Sequence, residues 1–491
     1  MVRTRFAPSP TGNMHIGNLR TALFEYLIAK NSGGVFILRI EDTDQNRYVE
    51  GAMDVIFDTL RITGLHFDEG PEVGGDYGPY IQSERKGQYM HYAKELIEKG
   101  KAYYCFCLKD KNEAKNSQNS QSLTDSSLAD PIEGQQKYNR TCTHLSQAEI
   151  ESKLTAGDPF VIRQLIPEGK TTFSDEVFGN ITIDHEEIED QILIKSDGMP
   201  TYNFANVIDD HTMAITHVVR GSEYLTSTPK YNLLYESFGW DVPVYVHLPL
   251  MLNEQGEKLS KRRGDSSFQD LLDQGHLPEA IINYIAFLGW SSPDNREYFT
   301  LSELTEAFAI KNISKSPSLF DPKKLAWMNG EHIKRLPEDV FYDMALPVLQ
   351  SAISTPGINL VAVAKMVQSR ILFINDIPDM VDFIDQLSDY DPDLFTNKKM
   401  KTDVDVSLQA LESILPIYND IENWDNRTLY DAAVEIGKNL SLKNSQILWP
   451  IRTALSGKPS SPCGASELCA LLGKEESLNR LNEGIKKLKA L

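Results

Sequence analysis

Pro8-Ser9-Pro10-Thr11-Gly12-Asn13-Met14-His15-Ile16-Gly17-Asn18 stands between a short strand and a helix. Before it, residues 3–7 read as a strand running into a Pro/Gly turn. After it, residues 18–30 put Leu19, Leu23, Leu27 and Ile28 on one helical face. Residues 34–40, Gly-Val-Phe-Ile-Leu-Arg-Ile, follow as a buried strand. Strand, loop, helix and strand make the βαβ unit of a parallel sheet. Such a loop lies at the carboxyl edge of the sheet, where ligands bind. The helix N-terminus there favours anions. Gly12 and Gly17 let the backbone approach a nucleotide where a Cβ would clash. There is no GxGxxG fingerprint, so a dehydrogenase-type dinucleotide fold is unsupported.

A second loop, Lys258-Leu259-Ser260-Lys261-Arg262, has Arg263 beside it and Gly256 and Gly264 close by. Glycines on both sides point to a hinge able to close over ATP. A triphosphate needs both loops. The His15 imidazole can donate to the α-phosphate as charge builds there, and the Lys261 ammonium meets the β- and γ-phosphates as a point charge. Removing one such donor typically costs ~3–4 kcal/mol of barrier. Alone, His15 reads as a helix cap and the basic run as a solvated turn. In this order and pairing they point to ATP chemistry.

At 491 residues the chain exceeds one core and suits several domains. Its 41% hydrophobic and 24% charged content are those of an ordinary globular protein. A net charge of −21 argues against a uniformly basic nucleic-acid binder, though not against local basic patches. No stretch reaches the ~20 apolar residues of a membrane helix. The N-terminus lacks the apolar core of a signal peptide. The 5 cysteines fit a reducing cytoplasm.

From about residue 103 to 191 the character changes. Residues 111–136 are rich in Ser, Asn, Gln and Asp, and strand-like runs return at 159–165 and 192–195. This reads as an insertion splitting the sheet domain, which resumes at 217–220 and 245–248. Beyond Leu252 helical periods dominate, and after Pro337 period-two alternation is nearly absent. Two C-terminal helical bundles are expected. Across the polar stretch, Cys105-Phe106-Cys107 and Cys142-Thr143-His144 offer three thiols and one imidazole, a set suited to structural tetrahedral zinc.

The runs Thr4-Arg5-Phe6-Ala7-Pro8-Ser9-Pro10-Thr11-Gly12, Arg39-Ile40-Glu41-Asp42-Thr43-Asp44, Lys195-Ser196-Asp197-Gly198-Met199-Pro200-Thr201-Tyr202 and Val219-Arg220-Gly221-Ser222-Glu223 resemble bacterial-type glutamyl-tRNA synthetases of class I. Leu325-Ala326-Trp327-Met328-Asn329-Gly330 and Leu448-Trp449-Pro450-Ile451-Arg452-Thr453-Ala454-Leu455 extend the likeness to the C-terminal part. The resemblance implies a multidomain α/β plus all-α protein. A Rossmann-like catalytic domain is expected at 1–104 and 201–250, with an acceptor-stem-binding insertion at 105–200. A stem-contact domain at 251–336 and anticodon-binding helical domains at 337–397 and 398–491 complete the division.

The implied reaction joins L-glutamate to the terminal adenosine of tRNA(Glu) through glutamyl-adenylate, using ATP and Mg²⁺ and releasing AMP and pyrophosphate. The resemblance also implies that tRNA binds before activation. It assigns catalysis to His15, Lys258 and Lys261. It assigns ATP contacts to Pro8, Thr11, Gly12, His15, Gly17, Asn18, Lys258, Leu259, Ser260, Lys261 and Arg262. Glu41 and Ser9 would hold the substrate ammonium and Arg5 its side-chain carboxylate, with Tyr202, Asn206 and Arg220 completing the carboxylate contacts. A guanidinium suits a carboxylate because its donors form a planar fork. Glutamine would turn NH₂ donors toward that fork, and discrimination of ~10⁴ is attainable when buried polar groups go unpaired. Asp44 and Tyr224 are candidates for the terminal adenosine. Cys105, Cys107, Cys142 and His144 match the zinc-binding subset of the family. A cytoplasmic monomer is expected.

Three rivals compete. The paralogue that glutamylates a modified tRNA base lacks the helical C-terminal half. Glutaminyl-tRNA synthetase has a β-barrel anticodon region, against the helical periods here. A non-catalytic RNA-binding paralogue should have lost the reactive loops, yet His15 and Lys261 are present.

Overall fold

The computed structural model describes residues 1–44, 48–107, 139–259 and 267–491. Two compact units result: Met1–Gln274 with Pro278–Pro322, and Gly275–Leu277 with Lys323–Leu491.

In the first unit, β1 (Arg3–Phe6) pairs in parallel with β2 (Val35–Leu38), Arg5 opposite Ile37. The helix Ile16–Asn31 joins them, starting two residues earlier than its apolar spacing predicts. Every residue of β1 is buried, including Arg3 and Arg5. On the far side of β1, Thr216 N donates to Arg3 O at 3.0 Å just ahead of β8 (His217–Gly221). Near the expected start of the insertion at 105, β3 (Ala102–Cys105) pairs antiparallel with β4 (Val161–Gln164); β4 pairs with β7 (Ile192–Ile194). Their inner faces pack Ala102, Ile162, Leu193 and Ile194 against Tyr89, Phe204, Ile208 and Leu234 of three helices.

A hairpin absent from the sequence reading lies within the insertion: β5 (Lys170–Asp175) and β6 (Gly179–Asp184). It does not stand apart from the parallel strands that follow it. Asp175 pairs in parallel with Tyr245 of β9 (Val244–Leu248), giving the strand order β6-β5-β9-β8. The insertion is therefore hydrogen-bonded into the sheet it interrupts. Phe173, Ile183, Val218 and Tyr245 share one apolar cluster across this junction.

The second unit contains no strand among its described residues. Its helices include Val404–Asp420, Asn426–Asn439, Asn444–Ser456 and Lys474–Lys489, which bury Leu411, Ile414, Tyr418, Leu429, Ile447, Ile451 and Leu481. No described helix is long and apolar enough to cross a membrane.

Candidate active site

His15 is the N-cap of the Ile16–Asn31 helix, and its Nδ1 accepts from Gly17 N at 3.0 Å. That bond leaves Nε2 as the protonated, donating nitrogen of a neutral ring. Capping and catalytic use are therefore compatible: the cap selects the tautomer. A Cβ at Gly17 would sit 3.0 Å from Nδ1, so glycine suits the contact. Gly12 has φ +107°, in the region that favours glycine. Pro8 O accepts from Glu41 N at 3.0 Å, tying this loop to the next predicted motif. Thr11 is half-buried; Ser9 and Asn18 are exposed.

The segment that follows the second loop lies in the same neighbourhood. Phe268 N donates to Met14 O at 2.9 Å, and Met14 N donates to Gln269 Oε1 at 3.0 Å. The segment just after residue 266 is thus anchored beside His15. Leu259 is buried, and Lys258 pairs with Glu223 at 3.0 Å. The Glu223 carboxylate folds back over Gly221, where a Cβ would lie 2.0 Å from it. Ser260, Lys261 and Arg262 lie outside the described residues.

Of the predicted amino-acid contacts, Arg5, Glu41, Asn206 and Arg220 are buried. Tyr202, Asn206 and Asp210 recur every four residues along the helix Tyr202–Thr212 and so share a stripe. Arg5 Nε donates to Asp210 at 2.9 Å and its Nη1 to Glu25 at 3.0 Å. Arg39 donates to the same Asp210 oxygen at 2.7 Å and to Glu41 Oε1 at 2.9 Å. The result is a ladder, Glu25–Arg5–Asp210–Arg39–Glu41, with side chains at most 4% exposed. Two guanidiniums face three carboxyl groups, and burial pushes the Glu25 pKa well up against the pull of Arg5. Burial raises the Asp210 pKa, but Arg5 and Arg39 outweigh it and hold the carboxylate below its ordinary range. At the end of the ladder burial wins, lifting Glu41 to about 7 against the pull of Arg39 and Arg5. Glu41 Oε2 is buried without a hydrogen-bond partner, and so is Asn206 Nδ2. A buried acceptor and a buried donor left open in one site are costly unless a ligand completes them.

Arg220 differs in its company. Its Nε donates to His247 Nε2 at 3.1 Å and its Nη2 to Thr228 Oγ1 at 2.8 Å. The rings of Tyr231, Tyr245 and Tyr224 lie 4.4, 5.3 and 5.4 Å from the guanidinium carbon. Tyr202 is half-buried, and burial pushes its hydroxyl pKa well up. Asp44 is half-buried at the edge of the described residues.

In the insertion, the Sγ atoms of Cys105, Cys107 and Cys142 all lie within 4.8 Å of one another. Phe106 N donates to Cys142 Sγ at 3.3 Å. The fourth predicted ligand, His144, is exposed and lies outside this cluster, although it shares a turn with Cys142. In the helical unit, Arg452 lies 4.2 Å from the Trp449 ring, with Nε and Nη1 buried and unpartnered.

The model for tRNA synthetases class I (E and Q), catalytic domain, matches residues 1–327, and an anticodon binding domain model matches 340–485. A glutamate–tRNA ligase of Clostridium botulinum (strain Eklund 17B / Type B) is 54% identical over 491 residues, covering 99% of each chain. This chain belongs to the glutamate–tRNA ligases of class I. Another such ligase, from Clostridium tetani (strain Massachusetts / E88), is 54% identical over 99% of this chain and 98% of its own. Among solved structures, a glutamate tRNA ligase from Elizabethkingia meningosepticum in complex with its amino acid superposes with a TM-score of 0.83 at 31% identity, covering 99% of both chains. Within this family frame, the sequence reading had named Arg5, Glu41, Tyr202, Asn206 and Arg220, but not the groups that hold them. Glu25, Asp210, His247 and Asp175 went unnoticed. A glutamate inside the apolar run Leu23-Phe24-Glu25-Tyr26-Leu27-Ile28 was the available signal.

Proposed function

We propose that this chain joins L-glutamate to the 3′-terminal adenosine of tRNA(Glu) at the expense of ATP, through glutamyl-adenylate. The carrying observation is a pair of poles among buried residues. Glu41 offers an unpartnered carboxylate oxygen, and Arg220 is held only by neutral groups. An amino acid with one ammonium and a second carboxylate complements both. The substrate ammonium meets Glu41, with Ser9 at its rim. Arg220 takes a substrate carboxylate, and Arg5, Tyr202 and Asn206 add donors. Arg5 is already matched by Glu25 and Asp210, so it contributes a hydrogen bond more than net charge.

The α-carboxylate oxygen then attacks the α-phosphorus and pyrophosphate leaves. His15 Nε2–H donates to the oxygen on which charge accumulates. Pro8, Thr11, Gly12, Gly17 and Asn18 shape the nucleotide side. Lys258, Leu259, Ser260, Lys261 and Arg262 close on the leaving group, Lys258 exchanging Glu223 for phosphate. Mg²⁺ on the triphosphate adds neutralisation of pyrophosphate charge when bound. A terminal ribose hydroxyl, near Asp44 and Tyr224, next attacks the glutamyl carbonyl and AMP departs.

Cys105, Cys107 and Cys142 fit a structural zinc ion. Tetrahedral ligands at ~2.3 Å stand ~3.8 Å apart, near the spacing found. His144 completes the set by a side-chain rotation. The division at 1–104, 105–200, 201–250, 251–336, 337–397 and 398–491 belongs to this reading, as do a cytoplasmic location and a monomeric state. Glutamate-dependent pyrophosphate exchange, with and without tRNA(Glu), tests the function. Exchange with tRNA and glutamate is expected; exchange driven by glutamine instead would overturn it.

A further inference from the structure

Arg220 of β8 and His247 of β9 are register partners in the parallel sheet. Arg220 Nε can only donate, so His247 Nε2, 3.1 Å away, must be unprotonated. The single ring proton then sits on Nδ1, which donates to Asp175 Oδ2 at 2.7 Å. Asp175 is itself immobilised. Its Oδ2 also accepts from His247 N at 3.0 Å, and its Oδ1 from Val177 N at 2.9 Å and Phe178 N at 2.8 Å. The side chains of His247 and Asp175 are 0% exposed. Nothing in the substrate reading above uses this pair.

We propose that His247 is a positioning residue of the amino-acid site, acting through Arg220, with Asp175 fixing the tautomer that lets it do so. The proposal rests on the reading that Arg220 takes a substrate carboxylate. Its physical content is a way to orient an arginine without neutralising it. A carboxylate at position 247 would hold Arg220 as firmly but cancel its charge. A protonated histidine would repel it. A neutral imidazole accepting at Nε2 does neither. With Nε on His247 and Nη2 on Thr228, Nη1 is the nitrogen left without a partner among the described residues. Burial lowers the His247 pKa to about 4 despite the hydrogen bond to Asp175, so the ring stays neutral at physiological pH. Asp175 closes the inserted hairpin, so part of the glutamate site's scaffolding comes from the insertion.

The test is pyrophosphate exchange by the full-length protein with tRNA(Glu), measuring KM for glutamate and ATP separately. His247→Phe should raise the glutamate KM about tenfold or more while ATP KM stays within about twofold. His247→Gln, which keeps an acceptor, should recover most of the loss. Asp175→Asn should raise glutamate KM in the native background and add nothing to His247→Phe. Equal rises in both KM values, with no recovery by glutamine, would mean a merely structural role and overturn the proposal. So would a normal glutamate KM in His247→Phe. If that variant does not fold, a folded Asp175→Asn with normal glutamate KM overturns it instead. Arg220→Gln separates the levels: an unchanged glutamate KM there defeats the Arg220 reading itself, whereas a large rise with a silent His247 defeats only the positioning role.

Discussion

Arg5 and Arg220 are buried arginines on β1 and β8, and their neighbours are chemically opposite. Arg5 lies between Glu25 and Asp210. Arg220 lies among a neutral imidazole, a hydroxyl and three tyrosine rings. Isolated buried charge is expensive, and the two positions meet that cost differently. Around Arg5, opposite charges alternate, so the fold is its principal beneficiary. Around Arg220 the direct contacts among the described residues are dipoles and π-faces, with the Asp175 carboxylate one residue removed beyond His247, so its charge remains available to a ligand. The same residue type thus serves as a structural cation in one place and, in the function proposed above, as a recognition cation in the other.

The sharpest way to break this contrast is to remove the middle of the ladder. Asp210→Ala takes the shared carboxylate from both guanidiniums, leaving Arg5 with Glu25 and Arg39 with Glu41, and should cost about 3–5 kcal/mol of stability in denaturant unfolding. A loss under ~1 kcal/mol would mean that the ladder is not structural.

Arg220→Gln should lose about 3 kcal/mol of substrate binding, on the order of a hundredfold in glutamate KM, with a smaller effect on stability. Arg5→Gln should instead lower stability and affinity together. Equivalent behaviour of the two variants would erase the distinction.

The pH dependence of glutamate binding sharpens it further. Glu41 ionises at about 7 in the free protein. The substrate ammonium binds the ionised form, so protonation competes with substrate. Affinity should be full above that pH and fall about tenfold per unit below it. Glu41→Gln should bind weakly with a flat profile over the same window, and a native profile flat from pH 5.5 to 8 would contradict the assignment.

The smallest effect is expected where an ion pair is only partly buried. Lys258 and Glu223 retain 29% and 24% side-chain exposure. Glu223→Gln should change stability by less than ~1 kcal/mol while altering ATP KM. A loss as large as that of Asp210→Ala would show that burial is not what separates the two ion-pair systems.

Much of the site was legible because catalysis confines reactive groups to short loops. His15 lies in a Gly/Pro-rich stretch before an apolar helix, and that pattern needs no tertiary information. Arg5, Glu41 and Arg220 were legible through motif resemblance. Their supporting groups were not. Glu25 sits on a helix face that otherwise reads as core. His247 sits in a strand of otherwise apolar character. The hairpin ending at Asp175 was missed because β5 alternates Thr171, Phe173 and Asp175 inward with Lys170, Thr172 and Ser174 outward, a pattern with one large apolar residue. His144 was placed by its spacing from Cys142, yet it is exposed and lies outside the cluster of three thiols.

The amino-acid order by itself determined the βαβ start, the two ATP-type loops, the helical C-terminal part and the family. These follow from local periodicity and contiguous motifs. Only the tertiary structure decided which buried charges meet. Glu25, Asp210 and Arg39 come from a helix, a second helix and a strand end, and Asp175 reaches His247 only because the inserted hairpin joins the interrupted sheet. Coulomb energy in a low-dielectric interior depends on distances of a few ångströms between residues far apart in the chain, and no local pattern encodes those distances.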